Sequence, residues 1–224
     1  MSVFRDLVNI WKSEDNLSQA WSESNDMLRL SHEMFNDAVE ALRSGEKNKV
    51  LKSIKLRDEK INYYHREIRK KVVTYYSVSK DVTNIDSGLV LINTIVDIER
   101  IGDYSKNILD LAKHYPKKFI SEKFSEDLRT IEETVIDRFS STIKAVENMD
   151  ENLADELIAS YRDDLGKISD KLVAASISGD VEIGKENKTA SVALYARYLK
   201  RIGAHLKNIT SLVVNPFESI GYIK

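Results

Sequence analysis

Apolar residues recur at helical spacing along most of the chain. In the first stretch, residues 13–44, they include Met27, Leu30 and Met34, and the pattern stops before Gly45. Spacings of three and four residues place such side chains on one face of an α-helix. The pattern therefore predicts a long amphipathic helix over residues 13–44.

Two further segments of the first half carry the same period. They cover residues 46–77 and 86–114, and the second of them ends before Pro116, which cannot continue a helix. The connection at Gly45 is short, so the first two helices are expected to lie antiparallel. The first half of the chain is thus predicted to form a unit of three helices.

The second half repeats this plan. Residues 97–108 and 198–209 share the order Arg-Ile-Gly-x-x-x-Lys-Asn-Ile, and the chain's only prolines, Pro116 and Pro216, follow them. Self-similarity at a fixed distance indicates a duplicated unit. We therefore predict an all-α fold with internal duplication, made of two tandem antiparallel three-helix bundles. The expected helices of the second half cover residues 125–149, 151–178 and 186–214, and the expected domains are an N-terminal amphipathic extension (1–12), a first bundle (13–116) and a second bundle (117–224).

Composition supports helices and restricts the possible functions. The 224 residues include only 8 Gly and 2 Pro, and 31% of them are charged, which is typical of long helices. There is no Cys, so thiolate metal sites and cysteine nucleophiles are excluded. The net charge of -2 gives no overall attraction for nucleic acid. No apolar run reaches the length of a membrane span or of a signal peptide, so we expect a cytoplasmic protein.

A row of acidic side chains is the main candidate for chemistry. Helical geometry places Glu99, Asp103 and Asp110 on an outward-facing stripe of the third helix, while Asp58 and Asn62 share a stripe of the second. Carboxylates four residues apart repel each other unless a cation lies between them. We therefore predict a metal site formed by these five residues, with iron, zinc, manganese or magnesium as the ion. The alternative is a solvated acidic surface.

The second copy lacks this acidic row. Lys200 and Ala204 occupy the positions of Glu99 and Asp103, so the predicted metal chemistry belongs to the first copy. One feature is common to both copies, a glycine in the middle of the third helix, at Gly102 and Gly203, where Gly costs about 1 kcal/mol relative to Ala. We expect close approach of a neighbouring helix at both glycines.

Signs of catalysis are absent from the sequence. None of the four histidines follows a Glu by three residues, as the paired Glu-x-x-His pattern of bundle di-iron enzymes requires. No nucleophile and base stand out as a pair either. We therefore expect a protein that is not an enzyme.

The duplicated helix resembles a known family. Residues 97–103, Asp-Ile-Glu-Arg-Ile-Gly-Asp, are similar to the signature of the PhoU family of phosphate-uptake regulators, and residues 57–62 and 196–203 resemble its second and final helices. The resemblance covers nearly the whole chain. It implies two tandem three-helix bundles with metal-binding acidic motifs, of which Glu99 and Asp103 match and Asp58 with Asn62 match imperfectly.

The resemblance also implies a function and partners. The expected function is that of a cytoplasmic regulator or adaptor of phosphate transport and phosphate-responsive signalling. The expected partners are a transporter subunit, either an ABC ATPase or a sodium-phosphate cotransporter, and a sensor histidine kinase. Membrane association is expected only through these partners, and we expect a homodimer. The alternatives are a carboxylate-ligated metal protein with a redox or storage role and an accessory subunit of the cotransporter.

Overall fold

The chain forms helices throughout its described length. A computed structural model describes residues 16–79, 85–114, 125–178, 188–215 and 217–221. Those residues contain no β-strand, and the predicted all-α class is confirmed. The helices are α1 (Asn16–Ser44), α2 (Asn48–Lys55), α3 (Arg57–Ser79), α4 (Ile85–His114), α5 (Ser125–Asn148), α6 (Glu151–Tyr161), α7 (Lys167–Ser178) and α8 (Lys188–Ser211). A π-helical turn, Arg162–Gly166, joins α6 to α7, and a 3₁₀ turn, Phe217–Ser219, follows α8.

The helices assemble into two bundles, as the duplication predicts. In the first bundle α1, α3 and α4 pack together, with α2 at one end, and in the second α5 and α8 pack with α6 and α7. Each bundle encloses large side chains with almost no exposed surface, among them Phe35 and Ile61 in the first and Phe139 and Leu165 in the second. The tandem arrangement of bundles is confirmed.

The second helix of each unit is interrupted, which the sequence does not predict. Residues 46–77 form two helices, α2 and α3, separated at Leu56, and residues 151–178 contain the π-helical turn. Ile54 and Ile61, on either side of the first break, are both buried and lie seven residues apart, a spacing that also suits an unbroken helix. The apolar pattern therefore gives no sign of the break.

The two bundles pack against each other along two helix pairs, α1 with α5 and α4 with α8. Between α1 and α5, Arg43 donates a 2.7 Å hydrogen bond to Glu132, which also accepts one from the buried hydroxyl of Tyr195. Between α4 and α8, Nδ1 of His205 lies 2.6 Å from Asp97. Both contacts between the bundles thus contain buried polar partners.

Parts of the predicted domain scheme lie outside the described residues. These parts are the N-terminal extension (1–12) and the boundary between residues 116 and 117. Within the described residues, no helix has the length and apolar character needed to cross a membrane.

Candidate functional site

An acidic cluster of Asp58, Glu99 and Asp103 lies where α3 meets α4. Asp58 is in the first turn of α3, directly after the break at Leu56, and Glu99 and Asp103 are one turn apart on α4. The two helices approach closely because Gly102 has no side chain. A Cβ atom at Gly102 would lie 3.2 Å from Cδ1 of Ile61 and 3.5 Å from Oδ1 of Asp58. The expected close approach at Gly102 is confirmed, and it brings Asp58 against α4.

The ammonium group of Lys106 lies within the acidic cluster. Its Nζ is 2.8 Å from Oδ2 of Asp58 and 2.8 Å from Oδ1 of Asp103. The side-chain amide of Asn62 donates a second hydrogen bond, of 2.8 Å, to Oδ2 of Asp58. Arg100 closes the outer side, with one nitrogen 3.0 Å from Asp103 and another 3.7 Å from Glu99. The predicted site did not include Lys106.

The electrostatics of the acidic cluster follow from this crowding. Burial raises the pKa of Glu99 above its ordinary value, and the neighbouring charge of Asp103 raises it further. Burial acts to lower the pKa of Lys106, but its hydrogen bonds to Asp103 and Asp58 outweigh burial, so that this pKa is raised. Lys106 is therefore fully protonated at neutral pH.

The structure brings together four of the five residues predicted to hold a metal. Three of them form the acidic cluster, and the fourth, Asn62, donates a hydrogen bond to Asp58. Asp110 lies apart and forms an ion pair with Lys55 of α2. The predicted five-residue set is thus split between two ion-pair groups. The two stripes do meet, because α3 and α4 are neighbours in the bundle.

The carboxylates of the acidic cluster are arranged around an ammonium group. Across the described parts of the chain, no group of three or more His, Asp or Glu side chains has a geometry that could hold one. Asp58 and Asp103 both form ion pairs with the ammonium group of Lys106. One buried acceptor, Oδ1 of Asp58, has no hydrogen-bond partner. In this arrangement the acidic cluster fits the side-chain ammonium group of Lys106 and not a metal ion.

The corresponding place in the second bundle carries different chemistry. Gly203 lies against Leu165 as Gly102 lies against Ile61, which aligns α7 and its preceding π-helical turn with α3. Lys200, at the position of Glu99, is 2.5 Å from Asp170. Lys207, at the position of Lys106, lies over the ring of Tyr161 at 5.6 Å. No acidic cluster therefore forms among these counterparts.

The π-helical turn that contacts Gly203 carries two further acidic residues, Asp163 and Asp164. Asp163 pairs with Lys167 at 2.5 Å, and Asp164 pairs with Arg138 of α5 at 3.3 Å. Both line a cleft of about 520 Å³ between α5 and the turn, on whose wall Arg138 is only 3% exposed. The signal for Arg138 was present in the sequence, because a charged residue stands next to Phe139 on the apolar face of a helix.

Comparisons with known proteins agree with this architecture. No curated protein matches the chain. Among solved structures, the crystal structure of PhoU from Pseudomonas aeruginosa has a TM-score of 0.77 at 22% sequence identity, over 89% of this chain and 95% of that chain. The PhoU domain matches twice, at residues 25–112 and 128–213, one match for each bundle. Because these matches cover most of the sequence, the chain belongs to the PhoU family.

Proposed function

We propose that this protein is a regulatory adaptor of phosphate transport that works in the cytoplasm by binding protein partners and not by catalysis. Membership of the PhoU family supports a role in phosphate regulation in general. The observation that supports an adaptor is a surface, the outer side of α3, which combines exposed apolar side chains with cations that have no ion-pair partner among the described residues.

This α3 face is defined by Tyr63, Arg66, Arg69, Lys70 and Val73. Tyr63 is 54% exposed and Val73 is 63% exposed. The three cations are exposed and form no ion pair with any described residue. Tyr and Arg are enriched at protein interfaces, where the ring supplies contact area and the guanidinium supplies directed hydrogen bonds. The composition of the α3 face is therefore that of a protein-binding surface.

The equivalent helix of the second bundle has no unpaired cation among its described residues. Helix α7 has two lysines, and both are paired, Lys167 with Asp163 at 2.5 Å and Lys171 with Asp127 at 2.8 Å. Because the two bundles share one architecture, a charge difference between α3 and α7 is not a requirement of the fold. The unpaired cations of α3 are more simply explained by a partner that binds there.

The proposed partners are those of a phosphate-transport regulator. They are a transporter subunit, either an ABC ATPase or a sodium-phosphate cotransporter, and a sensor histidine kinase, with the chain itself forming a homodimer. Three unpaired cations on the α3 face predict an acidic patch on the surface that binds it, because complementary charge guides association and excludes wrong partners. Accessory binding to a sodium-phosphate cotransporter is included in this proposal.

The test compares two charge-reversed variants in the native host. Arg66→Glu with Arg69→Glu changes the α3 face, and Arg129→Glu with Lys144→Glu makes the same charge change on exposed positions of α5. We expect the α3 variant to lose co-purification with the phosphate transporter subunits and to misregulate phosphate uptake, while the α5 control behaves as the wild type. Equal retention of the transporter subunits by both variants would refute the α3 face as the binding surface.

A further inference from the structure

We infer that the ammonium group of Lys106 takes the place of a metal ion in the acidic cluster, so that this chain holds its clustered carboxylates together with a cation of its own. The inference concerns how the first bundle is held together and does not depend on the proposed partners. It differs from the metal site that the sequence resemblance implies.

The first step is the position of the ammonium. Nζ of Lys106 is 2.8 Å from one oxygen of Asp58 and 2.8 Å from one oxygen of Asp103, the two carboxylates that α3 and α4 bring face to face. A divalent ion that bridged them would need oxygen ligands at about 2.0–2.6 Å. An ion in that position and the ammonium group cannot share the same two oxygens. Metal binding would therefore first have to break both ion pairs of Lys106.

The second step is the charge of the cluster. The three carboxylates face two cations. Lys106 contacts Asp58 and Asp103, and Arg100 contacts Asp103 and Glu99. One negative charge is left over, and burial together with the charge of Asp103 raises the pKa of Glu99. The electrostatic demand that would draw in a divalent ion is thus largely met from within the chain.

The third step is the second bundle, where lysines also stand at the corresponding positions. Lys200 replaces an acidic residue and pairs with Asp170 at 2.5 Å, and Lys207 lies 5.6 Å from the centre of the Tyr161 ring. In each bundle a side-chain ammonium therefore provides the positive charge at this place. The second bundle has no acidic cluster, so Lys106 is the lysine that lies between carboxylates of two neighbouring helices.

The inference predicts that removing one ammonium group creates a metal site. Lys106→Met keeps the length of the side chain and removes its charge. It leaves Oδ2 of Asp58 and Oδ1 of Asp103 without the cation they share, in addition to the free Oδ1 of Asp58. We expect purified wild-type protein, dialysed and then titrated with Zn²⁺ or Mn²⁺ in a calorimeter, to show no specific binding. The Lys106→Met variant should bind one equivalent of the metal, with an affinity at least about ten-fold higher than any binding by the wild type.

Two controls make the result specific. Lys207→Met makes the same change in the second bundle, where no acidic cluster exists, and should gain no binding. Lys106→Arg keeps the positive charge and should stay as free of metal as the wild type. Far-ultraviolet circular dichroism of each variant confirms that the helices are retained.

Two results would overturn the inference. One is stoichiometric binding by the wild type that Asp58→Asn or Asp103→Asn abolishes. The other is a Lys106→Met variant that binds metal no better than Lys207→Met. If Lys106→Met does not fold, the wild type decides alone: Mn²⁺ broadening of the backbone amide signals of residues 99–106 at low micromolar metal contradicts the inference, and undisturbed signals support it.

Discussion

The two mid-helix glycines differ in how much room surrounds them, and this difference predicts opposite effects of the same substitution. An added Cβ at Gly203 would lie 2.0 Å from Cδ2 of Leu165 and 3.4 Å from the ring of Tyr161. Carbon atoms in contact are normally about 3.5–4.0 Å apart. Leu165 is fully buried, so its side chain has little space to move. Gly203→Ala must therefore displace Leu165 or push α8 away from the π-helical turn.

The expected magnitudes follow from two opposing contributions. Alanine is favoured over glycine in a helix by about 1 kcal/mol, and this gain applies at both positions. Overpacking a filled core costs about 1–3 kcal/mol, and this cost applies at Gly203. At Gly102 the added atom would be 3.2 Å from the terminal methyl of Ile61, which needs a shift of only a few tenths of an ångström. We expect Gly102→Ala to be neutral or stabilising and Gly203→Ala to be destabilising by up to about 2 kcal/mol.

Urea unfolding followed by circular dichroism measures both variants against the wild type. The clash is assigned to its atom by adding Leu165→Ala, which removes the methyl group that Gly203→Ala meets. In the Leu165→Ala background, Gly203→Ala should become stabilising by about 1 kcal/mol, since only the helix propensity remains. The packing argument is refuted if the two glycine substitutions change stability equally, or if Leu165→Ala leaves the effect of Gly203→Ala unchanged.

Three further predictions concern individual ionisable side chains. Because the pKa of Glu99 is raised, its charge destabilises the folded state above that pKa, and Glu99→Gln should raise the melting temperature at pH 7. A pH series should show this gain shrinking as the pH falls through the raised pKa towards the ordinary value of 4.5. Burial lowers the pKa of His32, so the unfolded chain binds the proton first and stability should fall as the pH drops below 6.5; His32→Asn should show a smaller fall in urea unfolding between pH 7.5 and 5.5. Arg138→Met should cost about 1–3 kcal/mol in the same assay, because the Leu157 carbonyl loses its donor, and an unchanged stability would contradict this role.

Much of the fold is predictable from the sequence because it depends on apolar spacing. The helix that begins at Asn16 in the described residues ends at Ser44, directly before Gly45, as the apolar period predicts, and Gly45 has the positive φ of 72° that favours glycine. The face-to-face placement of the Asp58 and Glu99 stripes also follows from helical geometry, once the two helices are neighbours. These features need only the direction in which each side chain points.

Features that depend on the reach of long side chains were not predictable in this way. Lys106 is three residues from Asp103, a common surface spacing, and nothing in the sequence shows that its ammonium also reaches Asp58 on another helix. Asp110 shares the stripe of Asp103, but two turns further along α4 it meets Lys55, because α2 ends there. The ion-pair partners of Lys106 and Asp110 depend on where α2 and α3 begin and end, and the apolar period does not predict those ends.

The interruptions of the second helices connect these observations. Each lies close to the residue that contacts the glycine of the third helix. The break at Leu56 is five residues before Ile61, which contacts Gly102, and the π-helical turn contains Leu165, which contacts Gly203. A π-helical turn changes the angular phase of the residues that follow it, whereas Leu56 keeps helical dihedral angles. In the first bundle the residue one turn before Ile61 is Asp58, which lies against Gly102, and the acidic cluster forms around Lys106. The duplicated backbone thus fixes the place where two helices touch, and the side chains of each copy determine which charges meet there.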